Sequence, residues 1–296
     1  MSNIVFPEGV TWNQRYVTGG DFVPAGTKFP TVGNLYRNAG NLVTRINLDT
    51  SNVTNMSNMF YMCKLLTTIP QLDTSNVTDM SQMFYYCDML LDVPQLDTSN
   101  VTNMSNMFYH CTSLTTIPQL DTSNVTNMNS MLYDCTSLLD VPQLDTSNVT
   151  NMSNMFGRCS PLSELPDFNC VKVKNFGDYS SWLYNCSNLK KLGVVDCDSV
   201  TSINYFFGNA PGTYLTEFGG CRNLGKASSV SGTNGNYFMN YAPNLTYESV
   251  MNVINGLYDR ASAGLSVLTL KLHANHLAML SEDDIAIATN KGWTIV

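Results

Sequence analysis

Five consecutive stretches of 24 residues are near copies of one another. They begin at Leu48, Leu72, Leu96, Leu120 and Leu144, with no residue inserted or deleted between them. The first reads LDTSNVTNMSNMFYMCKLLTTIPQ. Units this short and this alike are not independent domains; each has to be one coil completed by the coils beside it. The apolar positions of a unit are Leu48, Val53, Met56, Met59, Phe60, Cys63, Leu66 and Ile69. Burying so few side chains falls well short of the entropy lost in ordering the whole unit. Hydrogen bonds to the coils above and below must make up the difference, and they force like positions into columns.

The cysteines trace those columns. Cys63, Cys87, Cys111, Cys135 and Cys159 stand 24 residues apart, and Cys186 follows after three inserted residues. Ala39 (with Leu42 and Ile46), Ala210 (after Phe206 and Phe207) and Ala242 (between Met239 and Leu245) continue the column in weaker repeats. A small side chain at every step points to a tight interior corner. The remaining cysteines, Cys170, Cys197 and Cys221, fall in the register of Thr50, Thr74, Thr98, Thr122 and Thr146. All nine are therefore placed by the repeat and read as buried free thiols, ahead of disulfides or metal ligands.

Three regions follow. Residues 1–32 carry Pro7, Pro24 and Pro30 without the repeat register, and read as an irregular N-terminal cap or attachment segment. Residues 33–245 form the repeat. Inside each unit LTTIPQL reads as a short strand ended by its proline, DTSN as a turn, and Val53 to Cys63 as an extended piece passing into a helical turn. In residues 246–296 the pattern changes to helix, strand, helix, strand. Thr246 caps a first helix through Leu257, Leu265 to Leu272 alternates as a strand, Ser281 and Asp284 form a capping-box start, and Trp293 to Val296 ends the chain as a strand.

Net charge is -8, and no Lys or Arg occurs between Lys64 and Arg158, where nine aspartates lie. Such a surface repels phosphate backbones and anionic lipid, so neither nucleic acid nor membrane insertion is expected. No apolar run reaches the length of a membrane span, and the first residues lack a secretory signal pattern.

Candidate sites lie in the columns that vary. The outward strand positions are Thr67 and Thr68, Leu91 and Asp92, Thr115 and Thr116, Leu139 and Asp140, and Ser163 and Glu164. They read either as a ligand-binding face or as drift on a solvated surface. Tyr61, Tyr85, Tyr109 and Tyr133 flank the cysteines and suit either stacking on sugar rings or packing between coils. Asp49, Asp73, Asp97, Asp121 and Asp145 would stack about 5 Å apart, capping their turns or binding calcium. The Asn52-Val53-Thr54 sequons read as a ladder of bonded Asn side chains. Enzyme chemistry is not expected: His110 adjoins Cys111 but neighbouring side chains diverge, and His273 with His276 lacks a third metal ligand. No metal and no cofactor is assigned.

The unit V-x-x-M-x-x-M-F-x-x-C-x-x-L-x-x-I-P is carried by Val53, Met56, Met59, Phe60, Cys63, Leu66, Ile69 and Pro70. It resembles the bacterial surface leucine-rich repeat of the BspA type, including its mycoplasma-lipoprotein variant, over residues 39–245. Leu245 to Ile295 resembles a tail found on such proteins from gut bacteria and their phages. The resemblance implies an α/β repeat: a right-handed leucine-rich-repeat-like solenoid of about nine coils, with short strands and short helical turns, capped at both ends. It also implies binding to a bacterial surface glycan or protein. Relatives at the cell surface carry a signal and an anchor, so a chain starting as this one does is expected on a virion, as a fibre or tail-associated receptor-binding protein. It would contact other virion proteins there, and the homotrimer common among fibre components is the assembly that this placement implies. A bacterial adhesin and an intracellular scaffold are the alternatives.

Overall fold

The computed structural model describes residues 27–28, 48–174, 176, 182–200, 215–226, 236–238 and 242–296. Ala39, Leu42, Ile46, Phe206, Phe207, Ala210 and Met239, and residues 1–32 apart from Thr27–Lys28, lie outside these, so the weak-repeat readings and the N-terminal cap or attachment reading made on them do too.

Residues 24 apart meet across neighbouring coils. The Thr78 amide donates to the Thr54 carbonyl at 2.8 Å, and Thr102, Thr126 and Thr150 repeat the bond to Thr78, Thr102 and Thr126 at 2.9 Å. Parallel bridges run Asn55 to Asp79, Asn103, Asn127 and Asn151 in one line. The Thr hydroxyls reinforce this seam by donating to the same carbonyls. Between the seams lies one continuous core. Val53, Met56, Met59, Phe60 and Cys63 and their counterparts in the next coils are 0% exposed. Phe60, Phe84 and Phe108 stack with ring centroids 5.4 Å apart.

In chain order the regular elements are β1 (Thr27–Lys28), β2 (Leu48–Asp49), β3 (Glu164–Leu165), β4 (Lys191–Leu192), β5 (Val195–Asp196), β6 (Glu217–Phe218), β7 (Cys221–Arg222), β8 (Asn236–Phe238), α1 (Tyr247–Gly256), β9 (Leu268–Lys271), α2 (Ala274–Leu277), α3 (Glu282–Asn290) and β10 (Trp293–Ile295). All strand pairs are parallel: β1-β2, β3-β4-β6, β5-β7 and β10-β9-β8.

Two expectations are corrected. LTTIPQL forms no strand in the five exact units until Glu164–Leu165, the β3 pair. The cause is the proline itself. In the later coils Gly193 and Gly219 occupy the Pro70 slot, and their amides donate to Leu165 and Leu192 at 3.0 and 2.9 Å. Proline has no such donor, so the earlier coils keep only the first bond, Leu91 to Thr67 and Leu139 to Thr115. Gly193 is also required by space, since a Cβ there would lie 2.6 Å from the Asp167 nitrogen.

The second correction concerns Val53 to Cys63, which forms no helical turn. The amides of Met56, Asn58, Phe60 and Met62 donate forward to Asp79, Ser81, Met83 and Tyr85, while those of Met59, Tyr61 and Cys63 donate back within their own coil. That alternation needs left-handed residues, with φ of 57° at Asn58 and 58° at Met62. The side-chain column that follows Asn58 (Gln82, Asn106, Ser130 and Asn154) is uniformly polar, as this region of φ favours.

The thiols do more than fit a corner. Cys87, Cys111, Cys135 and Cys159 each point Sγ at the carbonyl of Phe60, Phe84, Phe108 and Leu132, at 3.0–3.1 Å. Cys186 does the same to Phe156 at 2.9 Å. Burial pushes the Cys135 and Cys186 thiols up to about 12 and raises Cys87, Cys111 and Cys159 well above their ordinary value. Protonated, enclosed thiols are poor nucleophiles. A thiol reagent at neutral pH should therefore label the native chain far more slowly than the urea-unfolded chain, read by intact mass. Rapid native labelling of the Cys63 to Cys186 column would contradict the packing.

Past Leu245 the coil gives way to local signals. Thr246 caps α1 by accepting from the Ser249 amide, and its own amide bonds Thr216 on the coil below. Ser281 and Asp284 form a reciprocal capping box at α3. The strand expected over Leu265 to Leu272 is confined to β9. The four-residue α2, capped by His273, was not foreseen. His276 on α2 is 0% exposed, and its ring nitrogens face the carbonyls of Ala242 and Pro243 without reaching hydrogen-bond geometry. Burial, with His273 adjacent, holds His276 below its ordinary value. The unfolded chain therefore binds the proton more readily. Stability is full above the ordinary His value and falls as pH drops through the His276 value. A His276→Phe chain should lose that part of the acid sensitivity in thermal melts between pH 7 and 5.

Candidate functional site

The outward positions of each coil are carried on three seams with different chemistry. On the first, Thr67 is half-buried and Thr68, Leu91, Asp92, Thr115, Thr116, Leu139, Asp140, Ser163 and Glu164 are all exposed. The structure thus brings these candidates together as one ridge running along the stack. Leu91 and Leu139 are 57% and 61% exposed, and Leu65 and Met89 beside them are 48% and 45% exposed. Single exposed apolar residues mean little; here four lie on one ridge. The backbone beneath is held by the inter-coil bonds of Leu91 and Leu139, so the ridge is preformed.

Carboxylates divide sharply by position. Asp49, Asp73, Asp97 and Asp121 each accept from the hydroxyl and amide of the serine two residues on, and Asp145 accepts from the Ser147 amide. These bonds, the serine hydroxyl first, hold Asp97 and Asp121 below the usual carboxylate range. The column therefore caps turns, and among the described residues no three His, Cys, Asp or Glu side chains are grouped to hold a metal ion. Asp92 and Asp140 differ. Among the described residues, no hydrogen bond or ion pair reaches either carboxylate.

The tyrosines form a slab. Tyr61, Tyr85, Tyr109 and Tyr133 stack with successive centroids at 4.7, 4.7 and 5.0 Å. Ring faces are thereby covered by other rings, and Gly157 closes on Tyr133 so tightly that a Cβ there would lie 2.6 Å from the ring. Between Tyr61 and Tyr133 a sugar meets the edges of the stack. Burial raises Tyr109 to about 12.

Each tyrosine is followed by a member of a second flanking column, Met62, Tyr86, His110, Asp134 and, after Gly157, Arg158, all with φ between 57° and 64°; sequence reasoning saw the column and missed the pairing along it. His110 Nδ1 lies 2.7 Å from Asp134 Oδ2, Arg158 lies 3.8 Å from the same oxygen, and Tyr86 packs on the His110 ring at 4.3 Å. The signal was available: in a repeat chain the neighbour in space is the residue 24 positions on, not the next one. Cys111 is buried and bonded to Phe84, so it supplies no nucleophile to His110. The sequon asparagines also differ from expectation. Asn76, Asn100, Asn124 and Asn148 donate to the carbonyls of Ser51, Ser75, Ser99 and Ser123 rather than to one another.

On the third seam the Gln-Leu-Asp-Thr-Ser stretches line two shallow troughs of about 680 and 740 Å³ that share Gln119, Leu120 and Asp121. Gln71, Gln95, Gln119 and Gln143 bond carbonyls of the following coil, so these amides are engaged in the stack. Among the described residues no helix is long and apolar enough to cross a membrane.

A family described as Mycoplasma protein of unknown function, DUF285, matches residues 31–138 and 115–215. No curated protein and no solved structure matches the chain.

Proposed function

Because the chain belongs to the DUF285 family, the domain found in BspA-like surface repeat proteins, we propose that it is a non-catalytic binding module that recognises a ligand on a bacterial surface. The observation that carries this reading is the ridge. Its apolar side chains project into solvent from a backbone fixed coil by coil, while Asp49, Asp73, Asp97, Asp121 and Asp145 are engaged in turn caps and Asp134 in a bridge to His110. A preformed face loses little entropy on binding. The 24-residue hydrogen-bond register supports taking the repeat as a right-handed leucine-rich-repeat-like solenoid of about nine coils, capped at both ends.

The finer reading places the chain on a phage particle, in a fibre or tail-associated role beside other virion proteins, as a homotrimer. The likeness of Leu245 to Ile295 to tails on phage-borne repeat proteins favours it; a bacterial adhesin is the alternative. Purified full-length chain should adsorb to bacterial cells and compete with phage for them. Chain that binds no cell surface would refute the binding role. Mass spectrometry of washed virions decides the finer reading: the chain must be among their proteins, and its absence refutes that placement.

A further inference from the structure

The ridge is more specific than a sticky surface. Its two most exposed leucines each precede an aspartate with no partner among the described residues, giving the same pair, Leu91-Asp92 and Leu139-Asp140, two coils apart. The coil between presents Thr115 and Thr116 instead. Every other aspartate between Lys64 and Arg158 has a partner: Ser75, Ser81, Lys64, Ser99, Ser123, His110 and Ser147 serve Asp73, Asp79, Asp88, Asp97, Asp121, Asp134 and Asp145. Among the described residues, Asp92 and Asp140 are thus the aspartates of that stretch left to pair outward, and no Lys or Arg lies in it to serve them.

Geometry then selects the partner. Two coils advance about 9.6 Å, twice the inter-strand spacing. An extended β-strand lying along the ridge repeats on one face every 6.7 Å or so and cannot meet both leucines in step. A helix repeats after seven residues, about 10.5 Å, and places further side chains at half-steps over Thr115. A polyproline-II segment, with three residues per turn, repeats about every 9.3 Å and matches the pair.

We propose, on the footing of the binding role above, that the Leu91-Asp92 and Leu139-Asp140 pairs form a docking site for a protein segment in polyproline-II conformation, with an apolar residue at every third position and Lys or Arg between. The apolar side chains pack on Leu91 and Leu139, and the cations reach Asp92 and Asp140. Charge selects against a second copy of this chain, since two such ridges would set like carboxylates against each other. Lys190 and Lys191 lie further along the same seam and mark where the acidic stretch ends.

The test uses the full chain and nine-residue peptides followed by fluorescence anisotropy. A (Leu-Lys-Pro)₃ peptide should bind, weakening as salt is raised. Peptides with Glu for Lys, Ser for Leu, or strictly alternating Leu-Lys should bind about tenfold more weakly or worse. Converting both pairs to the neighbouring coil's residues, Leu91→Thr with Asp92→Thr and Leu139→Thr with Asp140→Thr, should abolish binding without unfolding, because Thr67-Thr68 and Thr115-Thr116 already occupy those positions. Separate Asp92→Asn and Asp140→Asn changes should remove the salt dependence first. Equal binding by the converted chain, preference for the alternating peptide, or binding to a neutral glycan alone would overturn the proposal. A chain that adsorbs to cells yet ignores every peptide overturns this inference and leaves the binding role standing.

Discussion

Phe108→Ala should lower the unfolding free energy by about 3–5 kcal/mol, read from the urea midpoint with m unchanged. The side chain is 0% exposed and its ring lies 5.4 Å from Phe84. Its backbone amide donates to Met131 and its carbonyl accepts the Cys135 thiol, and truncation touches neither bond. The loss is therefore a cavity bounded by three coils, none of which can collapse without breaking its own ladder. A cost below about 1 kcal/mol, the value for a half-buried position, would mean that the coils do not share one core.

Arg260→Met should cost on the order of 3 kcal/mol, the scale of two hydrogen bonds to a charged donor. Arg260 is 1% exposed. Its guanidinium donates to the Gly225 carbonyl, to the Ser266 carbonyl at 2.7 Å and to the Ser266 hydroxyl at 3.4 Å. It thus pins the last coil to the segment between α1 and β9, and its own amide bonds Lys291 just after α3. Methionine keeps the stem and strands the acceptors. Arg260→Lys should recover little, because an ammonium cannot fork to three acceptors. Calorimetry of the two variants checks this, and a melting temperature equal to that of the parent in either would contradict the pinning role.

What could be read from the residues depended on the distance over which each signal acts. The columns were legible because a strict 24-residue period admits one stacking register, and the buried Val, Met, Phe and Cys positions obey it. Caps at Thr246 and Ser281 were legible because capping is a contact within four residues. The four-residue α2 was hidden, being too short for any apolar period. Pro70 was read correctly as an interruption but placed at the end of a strand, whereas its missing donor prevents the strand from being completed. The forward and backward bonding of Met56 to Cys63 imitated helical spacing, since three-to-four periodicity also arises from successive tight turns. At the ridge the exposed residues were legible, but the isolation of Asp92 and Asp140 was not. It emerges only when every other aspartate is seen with its partner. The His110–Asp134 pair escaped for the same reason: its members are neighbours only across the stack.

The central claim is that each coil is completed by its neighbours in a 24-residue register. Excising residues 96–119, which joins Gln95 to Leu120, removes one coil and leaves every column continuous. Urea unfolding of that chain should remain a single cooperative transition, with m reduced in keeping with the smaller buried surface. Excising only residues 96–107 leaves half a unit between Gln95 and Leu120, breaks the register at that junction and should split the single transition. Loss of the single transition in the first chain, or its survival in the second, would contradict the account.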